Sequence, residues 1–419
     1  MTKAIPFKGL LYDPEKVSMY DVTAPPYDII SGNMLQRLYD RSPYNIARVD
    51  CGMETSTDGG SMTKYLLASE SLRKWMQEGI IKFQDRPAYF LYETVYTSYG
   101  QKKTMRGIFA AVKLAQPGKG IFPHEMTHSK PKEDRFNLLR ICRANTSPIF
   151  SLYDNPECKI TDCLGAILAQ RPYIEFTDDD SNCHKCWIVS DPRLTERISA
   201  GIAGKDIFIA DGHHRYETAL KYQKLMKEGS GDSDAAYNYV LMLLVNVADE
   251  GITIKPTHRL LSKLPAGAID LLNEDFDVTR LAPDTDIIKA IANKKRTFGM
   301  LDANGQFYEL RYKGQPPSGV LDIDVIILHE IIFKKLYNVS EFGYEMDVVK
   351  TIAMIEGGRQ QDDGQAAQKA QKYDAAFFLN PTRVADIEMV ARAGLRMPPK
   401  STYFYPKIPT GIVINYFDK

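Results

Sequence analysis

The spacing of apolar and polar residues predicts a strand, a tight turn and a helix between residues 205 and 228. Residues 207–210 form a short apolar run with two β-branched isoleucines, which is typical of a buried strand. Asp211 and Gly212 interrupt this run, and from Arg215 onward apolar residues recur at helical spacing. Such a turn directs backbone N–H groups and the positive end of the helix dipole toward one point, where an anion can bind.

Four other patterns predict single elements. Residues 239–247 are almost wholly apolar and predict a buried strand, and residues 63–79 predict an amphipathic helix. Residues 297–312 predict a hairpin that turns at Gly305, whereas residues 42–49 predict a loop followed by a strand. Because helices and strands alternate irregularly, we expect a mixed α/β or α+β fold.

The length and composition indicate a globular protein with more than one domain. The chain has 419 residues, of which 44% are hydrophobic and 25% charged. We expect a core in residues 1–262, a small α/β insertion in residues 263–319, and a C-terminal segment in residues 320–419 that returns to the core.

The charge balance and the absence of long apolar runs narrow the class of protein. Lysine plus arginine and aspartate plus glutamate both number 53, which argues against a protein that coats nucleic acid. No apolar run approaches the length of a membrane span, and the first residues lack a signal-peptide pattern. We therefore expect a cytoplasmic protein with free thiols, no membrane partner and no nucleic-acid partner; the oligomeric state is left open.

A second polar-rich segment covers residues 121–153. It brings His124, Glu125, Asp134 and Arg135 close together in sequence around the predicted start of a helix, and Asn145 follows that helix. Phosphoryl transfer needs a base or a carboxylate that orients the hydroxyl nucleophile, and Glu125 or Asp134 could supply it. The alternative is a surface loop held by salt bridges.

Two patterns are similar to zinc sites, but neither has a complete ligand set. His124, Glu125 and His128 match the His-Glu-x-x-His string, yet Pro123 and Pro131 leave room for only a turn or two of helix. The second pattern, Cys158, Cys163, Cys183 and Cys186, could form a four-thiolate site, but Cys163 falls in a predicted helix. We therefore expect no zinc.

Two further groups of residues could contact an anion. Lys400, Ser401 and Thr402 follow two prolines, which fix an extended loop, but they do not form a Walker motif. His258 and Arg259 are candidates of the same kind. The alternative for both groups is an ordinary polar strand edge.

The whole chain resembles an uncharacterised prokaryotic family catalogued as domain of unknown function 1015. The resemblance covers nearly the full length, and its motifs are Ala24-Pro25-Pro26-Tyr27-Asp28, His124-Glu125, Asp134-Arg135, Asn145 with Ser147-Pro148, Asp211-Gly212-His213-His214-Arg215-Tyr216, Thr257-His258-Arg259, and Met397-Pro398 with Lys400-Ser401-Thr402. This resemblance implies no activity.

A local resemblance concerns residues 209–215, which are similar to the phosphate-binding box of the ParB/sulfiredoxin superfamily. That group includes CTP-hydrolysing ParB proteins, ATP-dependent sulfiredoxin and free serine kinases. It implies a ParB/sulfiredoxin-like nucleotide-binding core to which α/β segments have been added. It further implies that Gly212 and the N–H groups of His213, His214 and Arg215 hold phosphate, and that Asp211 holds Mg²⁺ or orients a hydroxyl.

The resulting hypothesis is a phosphotransferase that uses Mg²⁺ with ATP, ADP or CTP and acts on a small hydroxyl-bearing metabolite, such as a free amino acid. In it, Asp211, His213 and Glu125 are catalytic, and His214, Arg215 and the loop 400–402 bind phosphate. One alternative is a nucleotide-gated regulator or a ParB-like DNA-associated protein without turnover. Another is a phosphodiester hydrolase that uses the same cluster.

Overall fold

The chain folds into two compact units, each built from both helices and strands. The computed structural model describes residues 2–53, 62–127, 129–156, 160–229, 232, 235–316, 319–357 and 372–417. Unit 1 comprises Met1–Pro123, Thr127–Thr253 and Pro406–Lys419, and unit 2 comprises His124–Met126 and Ile254–Tyr405. The predicted mixed α/β class is confirmed. The domain boundaries near residues 262 and 319 stay a prediction.

Unit 1 is organised around one nine-stranded sheet. Its strands, from one edge to the other, are Ile121–Phe122, Ile207–Asp211, Ile149–Tyr153, Tyr239–Asn246, Gln101–Lys113, Tyr89–Ser98, Cys183–Val189 and Ile174–Thr177, and Ala4–Ile5 also pairs with Gln101–Lys113. Two smaller sheets join Leu10–Tyr12 with Ile81–Phe83 and Ala144–Asn145 with Asn415–Tyr416.

Helices surround these sheets. The α-helices of unit 1 are Met19–Val22, Gly32–Arg41, Ala47–Asp50, Thr63–Gln77, Ser129–Cys142, Gly165–Leu168, Pro192–Ile202 and His213–Gly229. Short 3-10 helices cover Tyr27–Ile29, Ile160–Leu164 and Ala236–Asn238. The predicted helix at residues 63–79 is confirmed, and Gly79 follows it at φ +65°.

The strand Tyr239–Asn246 lies inside the sheet, and every one of its residues is buried. It pairs in parallel with Ile149–Tyr153 and antiparallel with Gln101–Lys113. A strand covered on both faces needs apolar residues at successive positions, which explains the continuous apolar run in the sequence.

Gly251 provides a test of packing in unit 1. A Cβ atom at this position would lie 2.1 Å from the Thr104 carbonyl oxygen and 2.5 Å from its carbon, so the backbone would have to move. We expect Gly251→Ala to lower the free energy of unfolding by about 2 kcal/mol, the usual cost of overpacking. Urea unfolding measures this change, with Gly165→Ala as control, because no atom of the described residues beyond its chain neighbours and its own helix backbone lies within 4 Å of the added methyl group there. Equal stability of the two variants would contradict the expectation.

Unit 2 contains a six-stranded antiparallel sheet. Its strands, in order, are Phe276–Arg280, Phe307–Tyr312, Thr297–Asp302, Ala375–Phe378, His258–Leu261 and Gly343–Glu345, and two further short strands are Thr253–Lys255 and Tyr403–Tyr405. Its helices are Ala268–Asp275, Ile287–Ile291, Asp324–Ile327, the π-helix Leu328–Leu336, Val348–Gly357, Val384–Arg392 and the 3-10 helix Gly319–Leu321. The predicted hairpin is confirmed, with Gly305 at φ +81° in its turn.

One prediction about a local element is wrong. The β-branched residues near position 49 predict a strand, but the structure has the helix Ala47–Asp50. The Asn45 side-chain oxygen accepts the Ala47 N–H at 2.9 Å, and this local hydrogen bond favours a turn over extended backbone.

No helix within the described ranges is long and apolar enough to cross a membrane.

Candidate functional site

The central feature of the candidate site in unit 1 is a glycine turn between a buried strand and a long helix, and we call this segment, Asp211–Arg215, the box. The strand Ile207–Asp211 ends at Gly212, and the helix His213–Gly229 follows at once. Gly212 has φ +97°, a conformation that side chains other than glycine rarely adopt. The Gly212 carbonyl accepts the Tyr216 N–H at 3.0 Å, which closes the first helical turn. The predicted strand, turn and helix are therefore confirmed.

Arg215 turns back over the box and connects it to the loop before the neighbouring strand. Its Nη2 donates to Asp211 Oδ2 at 3.1 Å, and its Nη1 donates to the Ser147 hydroxyl and the Pro148 carbonyl. A Cβ on Gly212 would lie 2.9 Å from Arg215 Nε, so the glycine also makes room for this side chain. The guanidinium is largely buried, with 12% of the side chain exposed.

Asp211 lies between two cations, Arg215 from the first turn of the helix that follows and Lys407 from a distant part of the chain. Its Oδ2 pairs with Arg215 and its Oδ1 lies 3.4 Å from Lys407 Nζ. Mg²⁺ in nucleotide sites usually takes one or two protein carboxylates and completes its shell with phosphates and water. Asp211 fits an ion that arrives with a nucleotide, because it supplies one carboxylate; its role as a Mg²⁺ ligand stays a prediction.

A second arginine of unit 1, Arg135, lies in a buried charged network. Its Nε and Nη2 donate to Asp134 Oδ2 at 2.9 and 2.6 Å, and its Nη1 lies 3.2 Å from Asp50 Oδ1. The guanidinium also stacks 4.1 Å from the ring centroid of Tyr27. Burial raises the pKa of Tyr27 to about 12, so its hydroxyl is protonated at neutral pH.

Asp134 is fully engaged in this network. Its Oδ1 accepts the Tyr65 hydroxyl at 2.9 Å and pairs with Lys64 Nζ at 2.9 Å. Burial opposes its charged form, but Arg135, Lys64 and Tyr65 together lower the pKa of Asp134 below its ordinary value. The carboxylate is therefore an anchor for cations rather than a base near neutral pH.

Asp50 was not predicted from sequence, and it is the most buried carboxylate of the group, with 3% of its side chain exposed. Its Oδ1 accepts the Thr146 hydroxyl at 2.7 Å, whereas no described residue forms a hydrogen bond with its Oδ2. Arg215 Nε is likewise buried, and no acceptor for it lies in the described part of the chain. Both residues line a cavity of about 40 Å³ that Arg135 and Ser147 also border. The cavity has room for one water molecule, which such unsatisfied polar atoms attract.

The remaining predicted residues of unit 1, His213, His214 and Asn145, differ in their burial and in their contacts. His213 is buried and His214 is half-buried in the first turn of the box helix. Asn145 Oδ1 accepts the Leu241 N–H at 3.0 Å and the Asn415 side-chain amide at 3.2 Å. Asn145 therefore holds neighbouring strands together, and it also lines the small cavity.

In unit 2, Glu125 binds the backbone of the loop 400–402. Its Oε1 accepts the N–H groups of Ser401 and Thr402 at 3.1 and 3.0 Å, and the Thr402 hydroxyl at 2.9 Å. Lys400 has φ +56°, which helps the two following N–H groups converge on one oxygen. In this structure the loop binds the carboxylate of Glu125, and the predicted role of Lys400, Ser401 and Thr402 in phosphate binding stays a prediction.

His124 extends the same cluster. Its Nε2 lies 3.1 Å from the Thr402 hydroxyl oxygen, and its ring is fully buried. Since that hydroxyl donates its proton to Glu125, the His124 Nε2 must carry the proton of the second bond. Glu125, Thr402 and His124 thus form one hydrogen-bonded chain.

Arg259 is fully buried in unit 2, and the groups that accept its hydrogen bonds are neutral. It donates to His329 Nε2 at 3.1 Å, to the Thr257 carbonyl at 2.6 Å and to the Lys400 carbonyl at 3.0 Å. Burial lowers the pKa of Arg259 to about 10, and burial together with the Arg259 charge lowers the pKa of the adjacent His258 to about 4. His258 is therefore neutral at physiological pH, and no described residue forms a hydrogen bond with its buried Nε2.

The structure sorts the predicted site residues into two groups, one in each unit. Asp211, Arg215, Asp134 and Arg135 take part in the ionic networks of unit 1, and the residues of unit 2 are His124, Glu125, His258, Arg259, Lys400, Ser401 and Thr402. Sequence reasoning missed Asp50 and Lys407, because each gains its partners through contacts across long stretches of chain. No local motif marks either residue.

The described residues do not complete a set of ligands for either of the two zinc patterns in the sequence. His128 and Cys158 lie outside the described residues. Among the residues that are described, no group of three or more His, Cys, Asp or Glu side chains is arranged to hold a metal ion. The expectation of no zinc stays a prediction.

Comparison with known proteins identifies a family and several distant structural likenesses. A family model described as "Protein of unknown function (DUF1015)" matches residues 4–331, whereas no protein of curated function matches the sequence significantly. A conserved hypothetical protein from Pyrococcus furiosus is 14% identical, with a TM-score of 0.37 over 73% of this chain and 94% of that chain.

Two further solved structures are similar at the same level. A free serine kinase in complex with AMP is 11% identical, with a TM-score of 0.36 over 73% of this chain and 92% of that chain. SbnI with a C-terminal truncation, from Staphylococcus aureus, is 12% identical, with a TM-score of 0.35 over 72% of this chain and 85% of that chain. Likenesses this distant support no statement about activity.

Proposed function

The chain belongs to the DUF1015 family, and we propose that it binds the phosphates of a nucleotide at the box Asp211–Arg215 and transfers a phosphoryl group to a small hydroxyl-bearing metabolite. One observation carries the proposal: a glycine at φ +97° joins a buried strand to a 17-residue helix, with Arg215 held over the turn. This arrangement combines the helix N-terminus with a guanidinium fork, and both favour phosphate oxygens.

Each residue of the box has a role in this proposal. The first-turn N–H groups and Arg215 neutralise phosphate charge, and Lys407 adds a second cation beside Asp211. Asp211 orients the hydroxyl nucleophile or binds Mg²⁺, and His213 or His214 donates to the transferred group. Mg²⁺, when bound with the nucleotide, would further neutralise the phosphate oxygens. Glu125, the loop 400–402 and the pair His258 and Arg259 remain proposed members of the functional surface of unit 2.

The decisive experiment measures thermal stability with ATP, ADP and CTP, each with and without Mg²⁺. A nucleotide at one hundred times its Kd stabilises the folded state by about 2.7 kcal/mol, so we expect Tm to rise by about 5 °C for at least one of them. Adenosine is the control, because it has the base and sugar without phosphates. If no nucleotide raises Tm, or if adenosine acts as strongly as ADP, the proposal for the box is wrong.

Turnover is tested separately. Release of ADP from ATP in the presence of single amino acids or sugars would identify a phosphotransferase. Nucleotide binding without release of ADP in the presence of any tested acceptor would instead indicate a regulator gated by the nucleotide. Cleavage of a phosphodiester without an acceptor would indicate a hydrolase.

A further inference from the structure

Unit 2 contains a cavity of about 260 Å³ that the proposed function does not use. Charged and polar residues, together with Ile323 and Pro381, line it from three segments, residues 293–295, 322–324 and 380–386. The walls are fixed by hydrogen bonds: Asn380 Nδ2 donates to the carbonyls of Ile291 and Lys294, at 3.0 and 3.2 Å. Cavities with walls held in this way are the usual form of sites for small molecules.

Asp324 differs from the other acids in this cavity. Asp322 pairs with Lys295 and with Arg296 Nε at 2.8 Å, and Asp386 pairs with Arg383 at 2.7 Å. Asp324 Oδ1 accepts only the Arg296 backbone N–H, at 2.8 Å. Among the residues that the structure describes, no cation forms an ion pair with Asp324.

The missing cation makes the charged form of Asp324 unfavourable. Burial raises the pKa of Asp324 to about 6, and the charges of Asp322 and Asp386 act in the same direction, while the Arg296 N–H and Lys295 oppose them. At neutral pH the carboxylate is therefore ionised at a cost to the stability of the fold. A carboxylate kept in this state inside a cavity is well suited to bind a cationic group of a ligand.

The rim of the cavity carries the opposite charge. Lys294 and Arg383 are exposed by 52% and 71% of their side chains, and the ion pair of Lys294 Nζ with Glu309 at 2.7 Å is therefore weak. Arg383 uses Nε and Nη2 for Asp386, and no described residue accepts a hydrogen bond from its Nη1. The cavity thus offers a half-buried anion and exposed cations within one small volume.

We propose that this cavity binds a small zwitterion of the α-amino-acid class, with its ammonium group on Asp324 and its carboxylate toward Arg383 and Lys294. The ammonium would give Asp324 the cation that the chain does not provide. This inference does not depend on the box, because all the residues that carry it belong to unit 2.

Titration of the full chain with single ligands tests the class of molecule. Isothermal titration calorimetry without nucleotide uses glycine, serine, lysine and glutamate as probes. Ethanolamine and propionate are controls, because each has one charged end. We expect at least one amino acid to bind at least tenfold more tightly than either control. Equal binding of propionate, or a response to Ca²⁺ or Mg²⁺ alone that Asp324→Asn abolishes, would overturn the proposal.

Substitution of Asp324 tests the residue itself. Asp324→Asn keeps an oxygen for the Arg296 N–H but cannot carry charge, so we expect amino-acid binding at least tenfold weaker. Because the raised pKa means that wild-type stability falls as pH rises through about 6, the variant should show a higher Tm than wild type at pH 8 and a smaller difference at pH 4. Calorimetry and thermal unfolding at both pH values measure these effects.

Two controls keep the test interpretable. Asp270→Asn removes an exposed acid from the helix Ala268–Asp275 of the same unit and should change neither binding nor the pH profile. Should Asp324→Asn fail to fold, Arg383→Ala removes the rim cation from an exposed position, and we expect it to weaken binding about tenfold. Wild-type binding by a folded Asp324→Asn, or by Arg383→Ala in its place, would refute the proposal.

Discussion

Arg215→Ala is expected to weaken nucleotide binding about 100-fold. The side chain would bind phosphate with two charge-assisted hydrogen bonds, each contributing roughly 1.5–3 kcal/mol, and loss of about 3 kcal/mol corresponds to a factor of about 100 in Kd. Its removal also takes away the cation paired with Asp211 Oδ2, which adds negative charge beside the proposed phosphate site. Calorimetric titration with ADP at fixed ionic strength measures the change.

Matched variants separate this effect from a general loss of charge or fold. Arg140→Ala removes an exposed arginine of unit 1 and should bind ADP as wild type does. Arg215→Lys keeps the charge but loses the planar fork, so we expect an intermediate loss of about tenfold. Should Arg215→Ala bind ADP as tightly as Arg140→Ala, the box does not hold the phosphates.

Arg135→Met should lower the free energy of unfolding by about 3–5 kcal/mol. The substitution retains much of the side-chain volume but removes the cation that faces both Asp50 and Asp134. Asp50 would then remain a buried carboxylate without a countercharge, which is the costly outcome of breaking a buried ion pair. The pKa of Arg135 itself reflects this setting: burial alone would lower it, but Asp50 and Asp134 raise it above its ordinary value.

Urea unfolding of three variants tests this account. Arg41→Ala breaks an ion pair to Asp179, whose side chain is 65% exposed, and should cost less than about 1 kcal/mol. Adding Asp50→Asn to Arg135→Met removes the uncompensated charge and should restore part of the loss. If Arg41→Ala and Arg135→Met are equally destabilising, or if Asp50→Asn makes the loss greater, the buried charge is not its cause.

Elements with strong local signals were predictable from the sequence. The box strand and helix, the helix Thr63–Gln77 and the hairpin at Gly305 depend on apolar periodicity and on glycines at positive φ, which act over a few residues. The predicted strand near Ala47 is absent because a single local hydrogen bond, from the Ala47 N–H to the Asn45 side chain, outweighs the preference of β-branched residues for strands.

The site was predictable only in part. Asp211, Gly212 and Arg215 are adjacent in sequence, so one motif indicates all three. Lys407 contacts Asp211 across a separation of 196 positions, and Asp50 and Arg135 lie in different helices. No local sequence pattern therefore predicts either contact. The structure also changes the interpretation of Asp134 and Glu125, because each of these carboxylates accepts hydrogen bonds from other parts of the chain.

By itself the sequence determined where the chain turns and which short segment joins a buried strand to a helix through a glycine, because backbone conformation and apolar spacing are local properties. Only the tertiary structure decided which charges are neutralised, as for Asp134 beside Lys64 and Arg135, and which form no ion pair within the described residues, as for Asp324. The reason is physical: the free energy of a charge depends on burial and on partners within a few ångströms, and folding brings those partners together from distant positions.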